Sequence, residues 1–569
     1  MTRRTVSGRL AGIVAATLAL VAIGFVSIGF FASYGGILIA GAIAVVAGST
    51  AAAAIDRQRA QNHAGVVAFY VLALGAAYVL FAQALASSMP PTARGGPAVY
   101  PSRGGGPGVY PPAASDNAPV TYPPQQLRLQ SAARGAQPGA AATIYEGARL
   151  IAGDGSAPIE NSAFVVDGDR IAAVGRKGAL QSPAGARRVD LTGKTVMPAL
   201  VDAHVHLGYR SGTTFTAANY TRENLLDTLD RFAYFGVAAV LEAGTGRGEQ
   251  PFQVRGEART PTRYLTAGSG FAMPSAGPGG PMRDSARGVT TEDDARAQVR
   301  DLARRKPDLV KIWVDDRNET VEKLKPNLYR AIIDEAHKQN LRVMAHIAKL
   351  DDAKDLLRAG VDGFAHVFRD RAVDDEFLAM VKARPRVFFL ETLWGARTAI
   401  YQEAPPWLGE PILRGALAPQ QIAQLRDEFL LAAAPATVQR ALEEADRLTS
   451  NVAALHKAGV TLGLGTDTGG VTGGGYFGLA THVELELLVK AGLTPAQAIV
   501  AGTRTSAQIL GLTDLGTIAP GTSADFLVLD ANPLERIGNT LKIARVVSRG
   551  VELDRAALKA RWAAAVSAR

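Results

Sequence analysis

The chain has 569 residues, of which 20% are charged and 47% hydrophobic, and its formal net charge is +9. This length exceeds one ordinary domain, and the positive charge forms no Lys/Arg block of the kind that makes a nucleic-acid face. Cysteine is absent, which excludes disulfides, cysteine-ligated zinc and a thiol nucleophile. Histidine, Asp, Glu and Lys are left for metal chemistry.

The first ninety residues contain three uncharged apolar runs, at residues 10–31, 37–55 and 66–85. Each run is long enough to cross a bilayer, so the sequence predicts a membrane domain of three transmembrane helices over residues 1–88. A signal peptide is an alternative for the first run, although that run is longer than a usual hydrophobic signal region.

The arginines near these runs predict their orientation. Arg3 and Arg4 precede the first run, and Arg57 and Arg59 lie between the second and the third. Because Lys and Arg favour the cytoplasmic side, the N-terminus is predicted inside and everything after residue 85 outside. The predicted location is therefore the membrane, with the remainder of the chain outside the cytoplasm.

Residues 89–141 change abruptly to Pro, Gly, Ala and Ser, and repeat a short Tyr-Pro unit as PAVYP, PGVYP and PVTYP. Such a segment cannot bury enough apolar surface to fold, so a disordered linker with some polyproline II structure is predicted. The repeats leave two interpretations open, a plain spacer or a segment that binds a partner.

The remaining residues alternate between two patterns. Residues 142–197 and 513–569 favour short alternating strands, while over 198–512 buried β runs alternate with helical patterns, which is typical of a parallel sheet with crossover helices. The predicted fold class is therefore α/β. We expect a TIM-like (β/α)8 barrel over 198–512 and a small composite β-sandwich built from the two flanking segments, preceded by the three transmembrane helices.

His204 and His206 follow an apolar run and stand one residue apart. Side chains alternate along a strand, so both imidazoles leave the same face about 7 Å apart and can share one cation. Taken alone, the pair has a second interpretation, two partly buried polar residues at a strand end. The downstream chain decides between the two.

Further polar residues fall within or at the end of later apolar runs, namely Lys311, His346, His366 and Asp467. An unpaired lysine inside a β-branched strand is costly, which predicts that Lys311 is modified or paired. Each of the others, taken singly, could be a core histidine or a helix cap. Because βα-barrels build their sites at successive strand ends, we expect these residues to converge with the first two histidines.

These motifs resemble the amidohydrolase superfamily, and within it the imidazolonepropionase and Xaa-Pro dipeptidase-like branch. The resemblance covers residues 143–553. It rests on PALVDAHVH at 198–206, VKI at 310–312, His346, His366, GTD at 465–467, HVELELL at 482–488 and GTIAPGTSADFLVL at 516–529. The resemblance implies a metal-dependent hydrolase that acts on carbon–nitrogen bonds.

The resemblance also implies a binuclear metal centre. By analogy one metal ion is held by His204, His206 and Asp467, the other by His346 and His366, and Lys311 bridges the two as a carbamate formed with carbon dioxide. A neutral lysine amine can capture carbon dioxide and become an anion that both metals bind. Zinc is the ion favoured by histidine and carboxylate ligands.

In the implied reaction, a hydroxide that bridges the metals attacks the scissile carbonyl. Asp467 takes the proton and passes it to the leaving nitrogen, so Asp467 and Lys311 are the expected catalytic residues. The mononuclear deaminase branch is disfavoured, because Lys349 stands three residues after His346 where that branch has Glu. The expected function is a membrane-anchored amidohydrolase of dipeptides, Xaa-Pro-like peptides or cyclic amides.

Substrate specificity is expected from loops around the strand ends. The candidate contacts are His482, Tyr209, Arg210, Tyr220, Arg222 and Arg369, each of which is otherwise a solvated surface residue or, for His482, a core or capping histidine. Residues 268–288 and the insertion at 394–407 are predicted rim loops, either lids or tolerated insertions. Glu242 departs from the family pattern, which has Asp there.

Two other functions stay open at this stage. One is an esterase or lactonase that uses the same site, and the other is a tethered binding protein that keeps the barrel without catalysis. The expected partners are a small amide or peptide substrate and the membrane, with no nucleic acid; a homo-oligomer is left open.

Overall fold

The structure is a computed structural model that describes residues 142–257, 260–394, 406–429, 435–469 and 476–567. The described chain opens with six short strands, in which apolar residues alternate with polar ones. They are β1 (Thr143–Glu146), β2 (Arg149–Leu150), β3 (Ser162–Asp167), β4 (Arg170–Arg176), β5 (Arg187–Asp190) and β6 (Thr195–Pro198). Strands β3 and β4 form a hairpin around Gly168, whose φ of +57° suits a two-residue turn.

The middle of the chain carries twelve strands, which are dominated by Val, Ile, Leu and Phe. They are β7 (Leu200–Val205), β8 (Arg210–Ser211), β9 (Thr214–Phe215), β10 (Val237–Glu242), β11 (Arg263–Thr266), β12 (Phe271–Ala272), β13 (Arg287–Gly288), β14 (Val310–Val314), β15 (Val343–Ile347), β16 (Gly363–Phe364), β17 (Phe388–Glu391) and β18 (Thr461–Leu464). Continuous apolar strands of this kind are buried on both faces, as parallel sheets require.

Apart from the antiparallel hairpin β8–β9, these strands form two parallel sheets that follow one another around the barrel. Strand β10 pairs with β7 and β11 in the first sheet, and in the second β12 pairs with β13 and β14, after which β14 to β18 pair successively. A parallel bridge between Val205 and Thr468 joins the first and last strands. The carboxyl ends of the strands therefore meet at one face, where such barrels carry their sites.

Helices cover the outside of the barrel, and several begin at a polar cap. They are α1 (Arg222–Tyr234), α2 (Gln250–Gly256), α3 (Glu292–Arg304), α4 (Pro326–Lys338), α5 (Leu350–Ala359), α6 (Asp375–Lys382), α7 (Pro419–Phe429), α8 (Pro435–Lys457), α9 (Leu479–Lys490), α10 (Pro495–Val500) and α11 (Ser506–Ile509). Side chains of Thr221, Thr291 and Asp374 accept the N–H groups at the starts of α1, α3 and α6. These caps fix where each loop at the site face ends.

The C-terminal segment returns to the first strands. It contains β19 (Phe526–Leu529), β20 (Ile543–Ser548), β21 (Val551–Glu552) and helix α12 (Arg555–Ser567). Strand β19 pairs antiparallel with β6, which places both ends of the region in one five-stranded sheet of order β2-β6-β19-β20-β21. Strands β4, β3, β1 and β5 form a second sheet in that order. In it the Phe164 ring stacks on Tyr145 at 5.0 Å, and it meets Phe526 of the five-stranded sheet edge-on at 5.1 Å. The two sheets thus share one apolar core.

The membrane part of the predicted fold class needs correction. No helix within the described residues is long and apolar enough to cross a membrane. The longest of them, α8, carries charges such as Glu443, Asp446 and Arg447 along its length, which a bilayer core would not accept. The three predicted spans and the linker lie outside the described residues. The predicted membrane location, outward orientation and membrane partner depend on those spans, so these predictions are withdrawn as well.

A buried ion pair connects the barrel to the C-terminal segment. Arg263 on β11 donates to the Asp525 carboxylate at 3.0 Å, and both side chains are at least nine-tenths buried. Asp525 also accepts from the Ser523 hydroxyl at 2.6 Å and from the Arg549 N–H at 3.2 Å. Although burial raises the pKa of Asp525, Arg263 and these hydrogen bonds lower it. The pair is therefore ionised, although the buried Arg263 Nη1 has no hydrogen-bond partner within the described residues.

Replacing Arg263 with Met should destabilise the protein by about 3–5 kcal/mol, because the Asp525 charge would stay buried without its cation. The measurement is urea unfolding of the full chain. Arg358→Ala is the control, because it breaks only exposed ion pairs, those with Asp355 and Glu376, and should change the unfolding midpoint far less. Equal midpoints for both variants would contradict a structural role for the buried pair.

Candidate metal centre

The six predicted ligands lie together at the carboxyl ends of the barrel strands. His204 lies on β7, Lys311 on β14 and His346 on β15, while His206, His366 and Asp467 come just after β7, β16 and β18. Ring centroids of neighbouring histidines are 4.6–5.1 Å apart. The Lys311 Nζ lies 3.5 Å from His204 Nε2, and Asp467 Oδ1 lies 2.7 Å from His206 Nε2. The structure thus assembles all six.

Backbone and hydroxyl partners fix the orientation of His204 and His366. His204 Nδ1 lies 3.0 Å from the Ala365 carbonyl, which can only accept, so this nitrogen carries the proton. The Thr392 hydroxyl donates to the same carbonyl at 3.2 Å and therefore accepts from His366 Nδ1 at 3.0 Å. Both rings consequently direct an Nε2 lone pair into the cluster.

A carboxylate fixes His206 through a threonine. The Thr245 N–H and hydroxyl donate to Glu242 Oε1 at 2.6 and 2.5 Å, and the Thr266 hydroxyl donates to the other oxygen at 2.9 Å. Because the Thr245 hydroxyl gives its proton to Glu242, it accepts from His206 Nδ1 at 2.9 Å. The longer Glu side chain, where the family pattern has Asp, reaches this threonine.

His346 is held by a residue that the sequence reasoning did not select. Its Nε2 donates to Asp315 Oδ2 at 3.1 Å, which turns the Nδ1 lone pair toward the other ligands. Burial raises the pKa of Asp315, but the hydrogen bond from His346 lowers it well below its usual value. The sequence did contain a signal for Asp315, because this residue directly follows the strand that carries Lys311. Carboxylates in this role commonly orient metal-binding histidines.

The protonation states suit a cation. Burial lowers the pKa of His204 and of His366 well below the usual value, and it also lowers that of His346, so these rings are neutral and can donate lone pairs. Burial raises the pKa of Asp467, but His204, His206 and the His206 hydrogen bond lower it well below normal. Neutral imidazoles around a carboxylate are the donor set that divalent transition metals prefer.

Within the described residues, one set of three ligand atoms lies within 4.8 Å of one another, from His204, His366 and Asp467. The family resemblance implies two groups of ligands, one for each metal ion. This set takes one histidine from each group. A single compact cluster can therefore hold one cation directly, and it has further imidazoles on both sides.

Lys311 occupies the centre of the barrel face and is fully buried. Burial lowers its pKa to about 7, while the Asp467 and Glu242 carboxylates oppose that shift. Glycine at position 244 makes room for it, because a Cβ there would lie 2.7 Å from both Lys311 Cβ and Cγ and 2.9 Å from the Trp313 ring. Gly244 also has a φ of +91°, which disfavours other residues.

Gly244→Ala should displace Lys311 and reduce the metal content of the purified protein, because the new methyl group overlaps the lysine stem. The control is Gly248→Ala, which imposes a similar left-handed φ of +59° but meets no atom within 4 Å. We expect the control to lose about 1–2 kcal/mol of stability and keep its metal. Elemental analysis checks both; equal metal content in the two variants would contradict the packing argument.

The first group of predicted substrate contacts lies on the loop that follows β7. Tyr209 and Tyr220 are buried side by side, with ring centroids 5.2 Å apart, and the Tyr209 hydroxyl donates to the Thr245 carbonyl. Arg210 lies over the Phe215 ring at 5.6 Å. These residues lie on the loop that follows β7.

Two predicted arginines form ion pairs. Arg222 pairs with Glu257, with Nε 2.7 Å from the carboxylate, at an exposed position at the start of α1. Arg369 pairs with Glu444, and its positive charge is close enough to lower the pKa of Asp315. The structure therefore puts Arg369 near the His346 side of the cluster, and it does not bring Arg222 there. The role of each in substrate binding stays a prediction.

His482 lies apart from the metal ligands, on α9. Its Nε2 donates to the Phe235 carbonyl at 2.8 Å, so its Nδ1 accepts from the Thr540 hydroxyl at 2.9 Å. Burial lowers the pKa of His482 to about 4. The neutral ring, with both nitrogens bonded, connects α9 to the start of β10 and to the C-terminal segment. This contact pattern corresponds to the second interpretation of His482 from the sequence, a core or capping histidine.

Replacing His482 with Ala should cost about 3 kcal/mol of stability and leave KM unchanged, because two buried polar groups lose their partner. The unfolded state takes up a proton at this histidine more readily than the folded state. The stability from the neutral ring is therefore present above about pH 6.5 and lost as pH falls toward 4. Urea unfolding at pH 7.5 and 5 should show the gap to wild type narrowing; a raised KM with unchanged stability would favour a substrate role.

A parallel βα-barrel with neutral histidines, a buried lysine and an aspartate at its strand ends defines a metal-dependent hydrolase of the amidohydrolase type. The Amidohydrolase family model matches residues 195–553, and the chain belongs to that family. It is a hydrolase that acts on carbon–nitrogen bonds.

Two curated relatives and a solved structure illustrate the similarity. Ochratoxinase of Aspergillus niger is 29% identical over 447 residues, covering 69% of this chain and 82% of that protein. Imidazolonepropionase of Cereibacter sphaeroides is 29% identical over 400 residues, covering 68% and 93%. The structure of a Xaa-Pro dipeptidase with bound methionine in the active site matches with a TM-score of 0.57 and 19% identity, covering 73% and 100%. At that identity, the last match bears on the fold alone.

Proposed function

We propose that the protein is a binuclear metal-dependent amidohydrolase that cleaves the amide bond of dipeptide-like or cyclic amide substrates. The observation that carries the proposal is the orientation of the four histidines, each of which has one nitrogen bonded outward and the other directed at the remaining candidate ligands. His204, His206, His346, His366 and Asp467 would hold the metal ions. The relatives named above, whose names describe action on imidazolone and ochratoxin compounds, support an amide-type substrate.

Lys311 is proposed to join the two ions as a carbamate. Its neutral amine attacks carbon dioxide, forms the N–C bond and releases one proton, which gives an anion. The lowered pKa makes the reactive neutral amine abundant near pH 7. A protonated lysine in this position would be a buried cation beside His204, which would be unfavourable next to bound metal ions.

Asp467 is proposed to move the proton. When bound, divalent ions in this site would lower the pKa of a water molecule and polarise the scissile carbonyl. The Asp467 carboxylate is ionised, lies beside His204 and His206, and keeps a quarter of its side chain exposed. It can therefore accept a proton from the attacking water and return it to the leaving nitrogen.

The positive φ of Asp467 helps to set this position. At φ +56° the residue turns the chain sharply after β18, while its N–H donates to the His204 carbonyl at 2.8 Å. A non-glycine residue in this region is strained, and such strain concentrates at functional sites. The turn aims the carboxylate at the two histidines of β7.

The test is metal analysis of the protein together with the Lys311→Ala variant, after reconstitution with zinc and bicarbonate. We expect close to two metal ions per chain in the wild type and a clear loss in the variant, with hydrolysis of dipeptides or cyclic amides by the loaded wild type only.

One metal ion that is unaffected by Lys311→Ala would contradict the bridge and favour a mononuclear enzyme. Full occupancy without turnover of amides would contradict the proposed catalysis. Lys338→Ala is a suitable control, because that exposed lysine pairs with Asp334 on α4, away from the strand ends.

A further inference from the structure

Asp202 is a buried carboxylate that takes no direct part in the proposed reaction. It lies on β7, two residues before His204, and its side chain is fully buried. Among the residues that the structure describes, no basic side chain forms an ion pair with it. Because removing a carboxylate from water is costly, hydrogen bonds must compensate for its burial.

The hydrogen bonds to Asp202 come mainly from the turn after β18 and from α9. Its Oδ1 accepts the Thr466 N–H at 3.0 Å, and its Oδ2 accepts the Thr466 hydroxyl at 2.8 Å and the Thr481 hydroxyl at 2.9 Å. The His204 N–H adds a longer bond to Oδ1 at 3.4 Å. Asp202 therefore connects the strand that carries His204 to the residue directly before Asp467.

The hydroxyl bonds of the turn run in one direction, toward Asp202. Because the Thr466 hydroxyl gives its only proton to Asp202, it accepts from the Thr468 hydroxyl at 2.6 Å and from the Thr468 N–H at 3.2 Å. These two threonines flank Asp467 in the chain. Both neighbours of Asp467 are thus held by one carboxylate, Thr466 directly and Thr468 through Thr466.

The turn after β18 also lies very close to β7. The His206 N–H donates to the Thr468 carbonyl at 2.8 Å, and a Cβ on Gly469 would lie only 1.9 Å from the His206 carbonyl oxygen. Between these contacts Asp467 adopts its left-handed φ of +56°. A strained residue keeps such a conformation only where its surroundings impose it, and the bonds to Asp202 supply part of that constraint.

Helix α9 gives this arrangement a fixed base. Thr481 reaches Asp202 from the first turn of the helix. One turn later the fully buried Glu484 accepts the two N–H groups that follow Thr392, each at 2.8 Å. Thr392 is the residue that orients His366. One helix is therefore bonded both to the Asp202 side of the cluster and to the end of β17.

We propose that Asp202 is a positioning residue, which holds the turn after β18 and thereby aims the Asp467 carboxylate. The assignment rests on the proposed function, in which Asp467 returns a proton to the leaving nitrogen, and it identifies what keeps Asp467 in place for that step. Asp202 acts through Thr466 and does not itself exchange a proton with the substrate. An error of about 1 Å in the position of a reacting group can cost on the order of 100-fold in rate.

The kinetic test compares Asp202→Ala with Asp202→Asn, with kcat expressed per bound metal ion. Asn keeps the size of the side chain and an oxygen that accepts the Thr466 N–H, so this variant should retain most of the wild-type kcat. Asp202→Ala should lower kcat about 100-fold with KM nearly unchanged. The loss should be larger for a dipeptide than for the para-nitroanilide of the same acyl group, because a nitroanilide leaving group depends less on protonation.

Asp190→Ala is the matched control. Asp190 accepts the N–H and the hydroxyl of Thr192 at 3.0 and 2.6 Å, the same pair of bonds that Asp202 makes with Thr466, but at an exposed position at the end of β5. This variant should keep the kcat of the wild type for both substrates. A loss in Asp202→Ala that is equal for the two leaving groups would overturn the assignment, because it would not act on the proton transfer.

A second readout uses crystal structures of the metal-free variants and needs no turnover. The distance from Asp467 Oδ1 to His206 Nε2 should stay near 2.7 Å in Asp202→Asn and exceed hydrogen-bonding range in Asp202→Ala. An unchanged turn in Asp202→Ala would overturn the assignment. A displaced turn, in a protein whose metal-loaded wild type hydrolyses no amide, would overturn the proposed function and keep the positioning role.

Thr466→Val and Thr466→Ser make the same comparison if Asp202→Ala does not fold. Both replacements fit the buried position, but only Ser keeps the hydroxyl that donates to Asp202. Thr466→Val should displace the turn and lower kcat, whereas Thr466→Ser should do neither. Equal behaviour of the two variants would contradict the role of this hydroxyl and overturn the assignment.

Discussion

The site depends on hydrogen bonds that decide which nitrogen of each histidine carries its proton. An imidazole binds a metal only through an unprotonated nitrogen, and a ring that is free to rotate or change tautomer would present the wrong one half of the time. Here each outward nitrogen meets a group whose own hydrogen bonding leaves it only an accepting role. The Ala365 carbonyl serves His204, the Asp315 carboxylate serves His346, and the hydroxyls of Thr245 and Thr392 serve the other two.

The barrel makes this arrangement possible because its parallel strands end at one face. Three of the four histidines, His206, His346 and His366, receive their partner from the end of a neighbouring strand, whereas His204 is bonded to the Ala365 carbonyl after β16. Glu242 illustrates how strand ends are joined. It lies on β10, yet it acts on His206, just after β7, through Thr245, and it also accepts from Thr266 at the end of β11. Three strand ends are joined through one carboxylate.

The same loops that hold the histidines shape the entry to the site. Asp315 orients His346 with one oxygen and accepts the Arg317 N–H with the other, so one carboxylate holds both a candidate ligand and the start of the loop after β14. The C-terminal segment is held differently, because the buried Arg263–Asp525 pair and the His482–Thr540 hydrogen bond fix it against the barrel. Rigidity at the strand ends follows from both sets of contacts.

Much of the site was readable from the sequence because the ligands stand in local patterns. The HxH pair after an apolar run, the lysine within a β-branched strand and the later strand-end residues each mark a strand terminus, and parallel strands bring such termini to one face. The amidohydrolase family and the barrel were predicted on this basis and are confirmed. The predicted transmembrane helices and membrane location were wrong for the structure as described, since hydropathy alone carried that prediction.

The partners of the ligands could not be predicted in this way. Asp315, Thr245 and Thr392 are ordinary polar residues in the sequence, and only the pairing of strands distant along the chain gives them a histidine to orient. His482 stands in a family motif, yet its contacts with Phe235 and Thr540 make it a connection between helices and strands. The sequence by itself determined the ligand types and the strand ends that carry them, because those depend on local periodicity. The tertiary structure alone decided which nitrogen of each histidine carries its proton and which residues orient the ligands, because these depend on contacts between residues far apart in the chain.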